Sequence, residues 1–481
     1  MASNARFFFV LLSVSAAIGI GNMFLFPYFS FRLGGLFFIP YLIALAIIGV
    51  PMLLLEFSAG QQFNKNVVDI FASVRKWLSG IGWFMVLNSF LAMGIYAVIL
   101  SWHVIYIFVS FGIQWKNDAG AYFLHNVLQS SAGLSGFLRL SLPVFLALVI
   151  AWILIFICIR NGFESIKKSF LLLSACLAAM LIFFMAYSLT LDNGLSGAYL
   201  FLKPDVRGML SLNVWVAAFS LAISSIGVSF GVMHALSRRS RCGFLVGSSF
   251  IAAFLELVVS LAFGFVFFSI LGFLSSKKGV AAANLAYSDY GSTFTVLAEA
   301  FQHFHKPVLL SILAFAFFSI FILIAVASLA YAIMHVIKEK LDTGKRNAAI
   351  LVAGFGFLYG LVFTVKPGIY IMDIVSHFIY YNILIAVLLE CLALGWAYEP
   401  RKISDYIDSR SSIKIGKASM FIIRYIVPVI ALALLLLQII ADLSKSYNNY
   451  PLWALLVFGA GTVIFPALAA FLMPQKLLDR R

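Results

Sequence analysis

Residues 15–35 read SAAIGIGNMFLFPYFSFRLGG, a stretch placed where a first membrane-crossing helix should lie but containing four glycines, an asparagine and a proline. A backbone break inside hydrocarbon costs several kcal/mol for each N–H or C=O left unsatisfied, so protein or ligand must take up the freed groups. Ala17 to Asn22 join two flexible glycines to a polar amide, and Pro27 removes a further donor. A half-helix N-terminus offers N–H groups to an anion, and released carbonyls suit a small cation. Glycines that merely let helices pack closely are the structural alternative.

The rest of the chain demands a membrane. Hydrophobic residues make up 63% of 481 positions and charged residues 11%, with a mean hydropathy of +1.06. That is more apolar surface than one water-soluble core can hide. About twelve apolar runs have the length needed to cross hydrocarbon as helices. They lie near 7–31, 36–57, 81–112, 140–159, 166–190, 211–236, 243–274, 308–337, 348–366, 370–396, 418–441 and 452–473. The first run has Arg6 as its only basic flank and no small-residue cleavage site, so a retained helix is expected rather than a signal peptide. The expected fold class is therefore an all-α integral membrane protein.

The net charge of +15 does not call for nucleic acid. Basic residues such as Arg75, Lys76, Lys167, Lys168, Arg238, Arg239, Lys338 and Arg401 gather in alternate loops, which the positive-inside rule places in the cytoplasm together with both termini. Cys158, Cys176, Cys242 and Cys391 fall in or beside spans in no metal-ligand or disulfide pattern, and four free thiols are expected. The outer segments 113–139 and 275–307, the latter containing STFTVLAEAFQHF, are candidates to cap the outer face, and MPQKLLDRR at 473–481 reads as a basic anchor.

A second interrupted span lies at 214–233, VWVAAFSLAISSIGVSFGVM, with Ser224, Ser225, Gly227, Ser229 and Gly231 at its middle. It is five spans after the first. Interrupted helices at corresponding positions of two halves point to a midplane site in a secondary transporter of inverted-repeat type.

The motifs GIGNMFLFPY (19–28) and GGLFFIPYLIALAIIGVPMLLLEFSAGQ (34–61) resemble those of the sodium:neurotransmitter symporter family. The likeness continues through IYAVILSW (95–102), the sixth span and GFVFFSILGF (264–273). It implies an inverted five-plus-five helix repeat with broken helices one and six: a single transporter domain over 1–481, with halves at 1–190 and 211–396 and two further spans and a tail at 417–481. It also implies a transporter rather than an enzyme, in the plasma or inner membrane, as a monomer or weak homo-oligomer, carrying a small amino-acid-like solute by alternating access.

By the same resemblance, the backbone at Ile20 and Gly21 and the hydroxyl of Tyr96 would meet a substrate carboxylate, with Ala17, Ser224 and Phe230 completing the substrate site. The first ion site would use Ala17, Asn22, Ser225 and Glu256, where Glu256 replaces the family's asparagine. The second sodium site has Ile324 and Ala325 in place of hydroxyl ligands, so at most one sodium is expected. Leu25 replaces the outer-gate arginine, whose acidic partner would be Asp373, and the short N-terminus lacks the usual inner latch; closing contacts on both faces are expected to be weak. No cofactor is expected beyond a coupling ion, sodium or a proton.

Glu256 is the most unusual residue of this set. A mid-membrane carboxylate costs ~2.5–3.5 kcal/mol on insertion scales, so a proton or cation should neutralise it. Expected neighbours are Asn22, Tyr41, Ser225 and Ser260; a protonated strut is the alternative to a coupling role. Glu56 reads as structural, and His103, His234, His335 and His377 as scattered, satisfied polar residues. Proton coupling through Glu256, uncoupled exchange, and a non-transporting receptor or scaffold are the competing functions.

Overall fold

A computed structural model describes residues 2–19, 21–116, 118–131, 133–136, 139–203, 206–239, 243–282, 285 and 290–472. Ten of its helices are long and apolar enough to cross a membrane, and Arg6–Ala17 with Gly21–Leu33 forms an eleventh span bent by 57°. At the sixth position, Leu212–Ser225 and Val232–Ser237 are separated by a non-helical segment. All twelve expected spans thus have helical counterparts, two of them interrupted where glycine, serine and asparagine interrupt the sequence. Ile20, Cys242 and the tail from Met473 lie outside the described residues.

Burial separates centre from rim. In the third span, Lys76–Val109, 78% of the most apolar window is buried, and in the seventh, Leu245–Lys278, 72%. The fifth, Phe163–Ser188, has only 17% buried and the twelfth, Leu452–Leu472, 22%, so these turn apolar side chains toward lipid. The third span packs along the eighth, Pro307–Lys340, while the first packs on the seventh. The second half of the sixth packs on the second span, Gly35–Phe63. The broken helices are therefore enclosed by the most buried ones.

Each break has a local cause. In the first span the helical ladder ends near Ile18, whose N–H still reaches Val14 at 3.0 Å. Gly19 then donates its N–H to Asn22 Oδ1 at 2.8 Å, so the asparagine amide takes the place of a missing backbone acceptor. In the sixth span, Gly227, Ser229 and Gly231 have φ of 73°, 63° and 73°, a left-handed conformation that ends a right-handed helix. The two breaks touch. A Cβ on Gly21 would come within 3.3 Å of Ser225 Cβ, and one on Gly227 within 3.0 Å of the Ala16 carbonyl.

The segment after the seventh span supplies a cap, as expected. The helix Tyr290–Phe301 brings Phe294 against Tyr106 at 4.3 Å between ring centroids and against Phe315 at 5.4 Å. Trp115 Nε1 donates to the Ala298 carbonyl at 2.6 Å. Aromatic packing closes this face, opposite the N-terminus, over the third and eighth spans.

Helix Gly194–Leu202 crosses the seventh span so closely that a Cβ on Gly197 would lie 2.0 Å from the Phe268 carbonyl, whereas one on Gly354 would meet nothing within 4 Å. Gly197→Ala is predicted to destabilise the detergent-purified protein by about 1–3 kcal/mol, by overpacking. Gly354→Ala should leave thermal stability unchanged or slightly higher. Thermal unfolding of both variants checks the pair, and equal melting would contradict the crossing.

Candidate functional site

The crossing of the two breaks is lined by a buried polar chain. Glu256, on the seventh span, has no solvent exposure, and neither do Asn22, Tyr41 and Ser260. Asn22 Nδ2 donates to Glu256 Oε1 and, at 2.8 Å, to Ser260 Oγ. Tyr41 OH donates to the same Oε1 and pairs with Ser225 Oγ at 2.8 Å. Ser260, four residues beyond Glu256 and so on the same helix face, donates to the Glu256 carbonyl at 3.0 Å.

This arrangement uses the oxygen and both N–H groups of the Asn22 amide: the oxygen closes the first break and the two N–H groups reach the seventh span. The Glu256 carboxyl is served unevenly. Oε1 receives two donors, whereas Oε2 is buried without a hydrogen-bond partner. Among the described residues no Lys or Arg forms an ion pair with Glu256. An ionised carboxylate kept from water without a counter-charge is strongly disfavoured, so the site calls for a proton or a small cation.

The other expected site residues are placed as follows. Ala17 is fully buried and ends the first half-helix, where carbonyls lose their in-helix partners. Gly21 begins the second half and abuts Ser225. Phe230 is buried in the sixth break, and its carbonyl accepts Ser89 Oγ of the third span at 2.6 Å. Tyr96 lies two turns beyond Ser89 on the same helix face; it is half-buried, and its hydroxyl has no hydrogen bond among the described residues. Ser224 is half-buried and turned back on its own helix, bonding the Ser220 carbonyl at 3.0 Å. Asn22, Ser225 and Glu256 are joined by side-chain contacts through Tyr41; Ser224 stands outside that chain.

At the second-site position, Ile324 and Ala325 are buried, and Ser328 Oγ occupies the Ile324 carbonyl at 2.8 Å. Ser15 Oγ bonds the Leu11 carbonyl and Ser174, both at 2.7 Å. These hydroxyls are turned to protein partners.

Three expectations need correction. Asp373 is no partner for a gate arginine: its carboxylate accepts from Tyr447 and Tyr450 at 2.9 Å and from Asn448 at 3.0 Å. The face carrying the N-terminus is not weakly closed. There Arg238 pairs with Glu339 at 2.7 Å, Asn66 Nδ2 donates to Glu339 at 2.8 Å and Lys340 meets Asp69 at 2.5 Å, tying the sixth and eighth spans to the loop after the second. His103 bonds the Ile99 carbonyl at 2.8 Å, as a satisfied core residue should, but His234 does not stand alone. It lies between Glu56 and Glu390, 3.2 and 3.4 Å from their carboxylates. The acids were visible in the sequence as rare charges inside apolar runs; their meeting was not, because it depends on how the second, sixth and tenth spans pack.

Comparison with known proteins gives these contacts a family. The model of the sodium:neurotransmitter symporter family matches residues 2–119 and 113–475. An uncharacterized sodium-dependent transporter of Methanocaldococcus jannaschii is 27% identical over 462 residues, covering 94% of this chain and 93% of that protein. The human sodium- and chloride-dependent GABA transporter 2 is 26% identical over 500 residues, covering 94% and 82%. The human sodium- and chloride-dependent taurine transporter is 25% identical over 502 residues, covering 94% and 80%. Members of this family are transporters, not enzymes. With its helical membrane fold and family match along nearly its whole length, the chain belongs to the sodium:neurotransmitter symporter family.

Proposed function

We propose that the protein is a secondary transporter of an amino acid or amino-acid-like solute, held where the first and sixth breaks cross and accompanied by one sodium ion at Ala17, Asn22, Ser225 and Glu256. The observation that carries this reading is the convergence of Asn22 and Tyr41, themselves held by Ser260 and Ser225, on a buried carboxyl with one unpartnered oxygen, beside two helix breaks. The relatives' names favour small zwitterionic or amino-acid-like cargo and sodium as the coupling ion. Two five-span halves, over 1–190 and 211–396, would rock about the site, and the basic loops would lie with both termini in the cytoplasm of a cell-membrane protein.

Each ligand group has a stated task. Backbone N–H groups at Ile20 and Gly21 and the Tyr96 hydroxyl would bind the substrate carboxylate, a pairing strengthened by the absence of competing water. A cation between that carboxylate and Glu256 would offset their repulsion, which reaches several kcal/mol at a few ångströms and an effective dielectric of ~20. Substrate and ion would then load together because each screens the other's neighbour. The second reading, proton coupling through Glu256, is favoured by the carboxyl itself: where the family has an amide, this chain has a group that can carry a proton.

The carboxylate requirement predicts that decarboxylated analogues bind far more weakly than the amino acids. Tyr96→Phe should weaken binding by roughly 1–3 kcal/mol, measured by competition with labelled amino acid. Equal affinity for an amino acid and its amine would contradict the assignment.

Coupling is tested by uptake into proteoliposomes with sodium and pH gradients imposed separately, across about pH 5.5 to 8.5. With sodium at Glu256, acidification should inhibit uptake competitively with sodium. Glu256→Gln should abolish that pH dependence, and Glu256→Asn, which restores the family's amide, should retain sodium dependence. Uptake that rises on acidification and persists without sodium would establish the proton reading instead. Identical behaviour of all three proteins would remove Glu256 from coupling.

A further inference from the structure

A second buried cluster stands apart from the Glu256 carboxyl. Glu56 of the second span, His234 of the sixth and Glu390 of the tenth have no solvent exposure, and one ligand atom from each lies within 4.8 Å of the others. His234 Nδ1 is 3.2 Å from Glu56 Oε2, and its Nε2 is 3.4 Å from Glu390 Oε1. None of these four atoms has a hydrogen-bond partner elsewhere among the described residues. The remaining oxygen of each carboxylate is held by one residue: Ser229 donates its N–H to Glu56 Oε1 and its hydroxyl to Glu390 Oε2, the latter at 3.0 Å. Ser229 is the one non-glycine residue with left-handed φ in the sixth break, so the cluster holds the break by its least relaxed point.

Charge counting decides what the cluster lacks. With both carboxylates ionised and the imidazole neutral, two negative charges share a site closed to water, where repulsion and desolvation act together. Neighbouring cations are engaged elsewhere. Arg238, one turn along from His234, is paired with Glu339 at 2.7 Å and lies 3.2 Å from His335, and Lys340 is paired with Asp69 at 2.5 Å. Arg6 of the first span lies over the Phe244 ring, and the Cys391 thiol beside Glu390 contacts Met52 Sδ at 3.7 Å. Each ring nitrogen faces a different carboxylate. A metal ion would use one nitrogen and leave the other acid without it, whereas a proton on the imidazole serves both.

We propose that Glu56, His234 and Glu390 form a proton-binding cluster that sets how firmly the sixth break is held. A proton delivered by a hydronium ion leaves its O–H bond there, releasing water, and forms an N–H or O–H bond in the cluster, with no change of oxidation state. A second proton, neutralising a carboxylate, turns the charge-assisted bond from the Ser229 N–H into a weaker neutral one and loosens the break. The inference depends neither on the solute carried nor on the ion at Glu256.

The test uses the full chain in detergent in a Glu256→Gln background, which removes the other buried carboxyl, with the unsubstituted protein run in parallel. Infrared difference spectra across about pH 5 to 9 follow the carboxylic-acid C=O stretch, and amide hydrogen exchange follows residues 226–231 after correction for intrinsic rate. The expected result is a carboxyl signal and an about fivefold rise in exchange on acidification that share one midpoint. His234→Gln should shift that midpoint and Glu56→Gln, which removes the acid that accepts the Ser229 N–H, should remove the shared transition; if the first does not fold, the second, isosteric with the native acid, carries the test alone. Spectra and exchange that ignore pH, or variants that titrate like their background, would overturn the proposal. Stoichiometric Zn²⁺ binding lost in His234→Gln would overturn it in favour of a metal.

Discussion

Hydrocarbon offers no hydrogen bonds, and the structure depends on that constraint more than on any single contact. Two helices are broken in the middle of the bundle, and the freed groups must find partners within the protein. Asn22 closes the first break through the Gly19 N–H, Ser89 takes the Phe230 carbonyl of the second, and Glu56 and Glu390 hold Ser229 between them. These partners come from the first, second, third and tenth spans. The breaks are thereby fixed by the surrounding helices, and a small shift of any of those helices is felt at the site.

The same low-dielectric setting gives the Glu256 carboxyl its weight. In water an acid among hydroxyls would be unremarkable, but here its Oε1 gathers two donors while Oε2 is left bare. Every added positive charge therefore has a large effect on occupancy, which is the property a coupling site requires. The buried site lies between two differently built closures, an ion-pair network at the N-terminal face and an aromatic cap around Tyr106 and Phe294 opposite. On the proposed transport cycle these closures would yield in turn.

Much of this was legible in the chain because its signals are local. Apolar run lengths reveal the spans, and glycine, serine and asparagine inside such runs reveal where two of them break; the cap at Tyr290–Phe301 follows from a helical pattern in the segment after the seventh span. The neighbours of Glu256 were accessible through the family resemblance at Asn22, Tyr41, Ser225 and Ser260. The Glu56–His234–Glu390 cluster was not, since three residues on distant spans show no shared spacing. The Arg238–Glu339 and Lys340–Asp69 pairs were hidden for another reason: charges at helix ends read as ordinary loop charges until packing brings them together.

The central claim is that one cation site, built on Glu256, couples this protein to an ion gradient. Equilibrium binding of radioactive sodium to the purified full-length protein, with saturating amino acid present, tests it most directly. The account predicts about one sodium per chain, displaced by acidification and lost in Glu256→Gln, because hydrocarbon replaces the hydroxyl ligands at Ile324 and Ala325. Two sodium ions per chain, or one that survives Glu256→Gln unchanged, would contradict it.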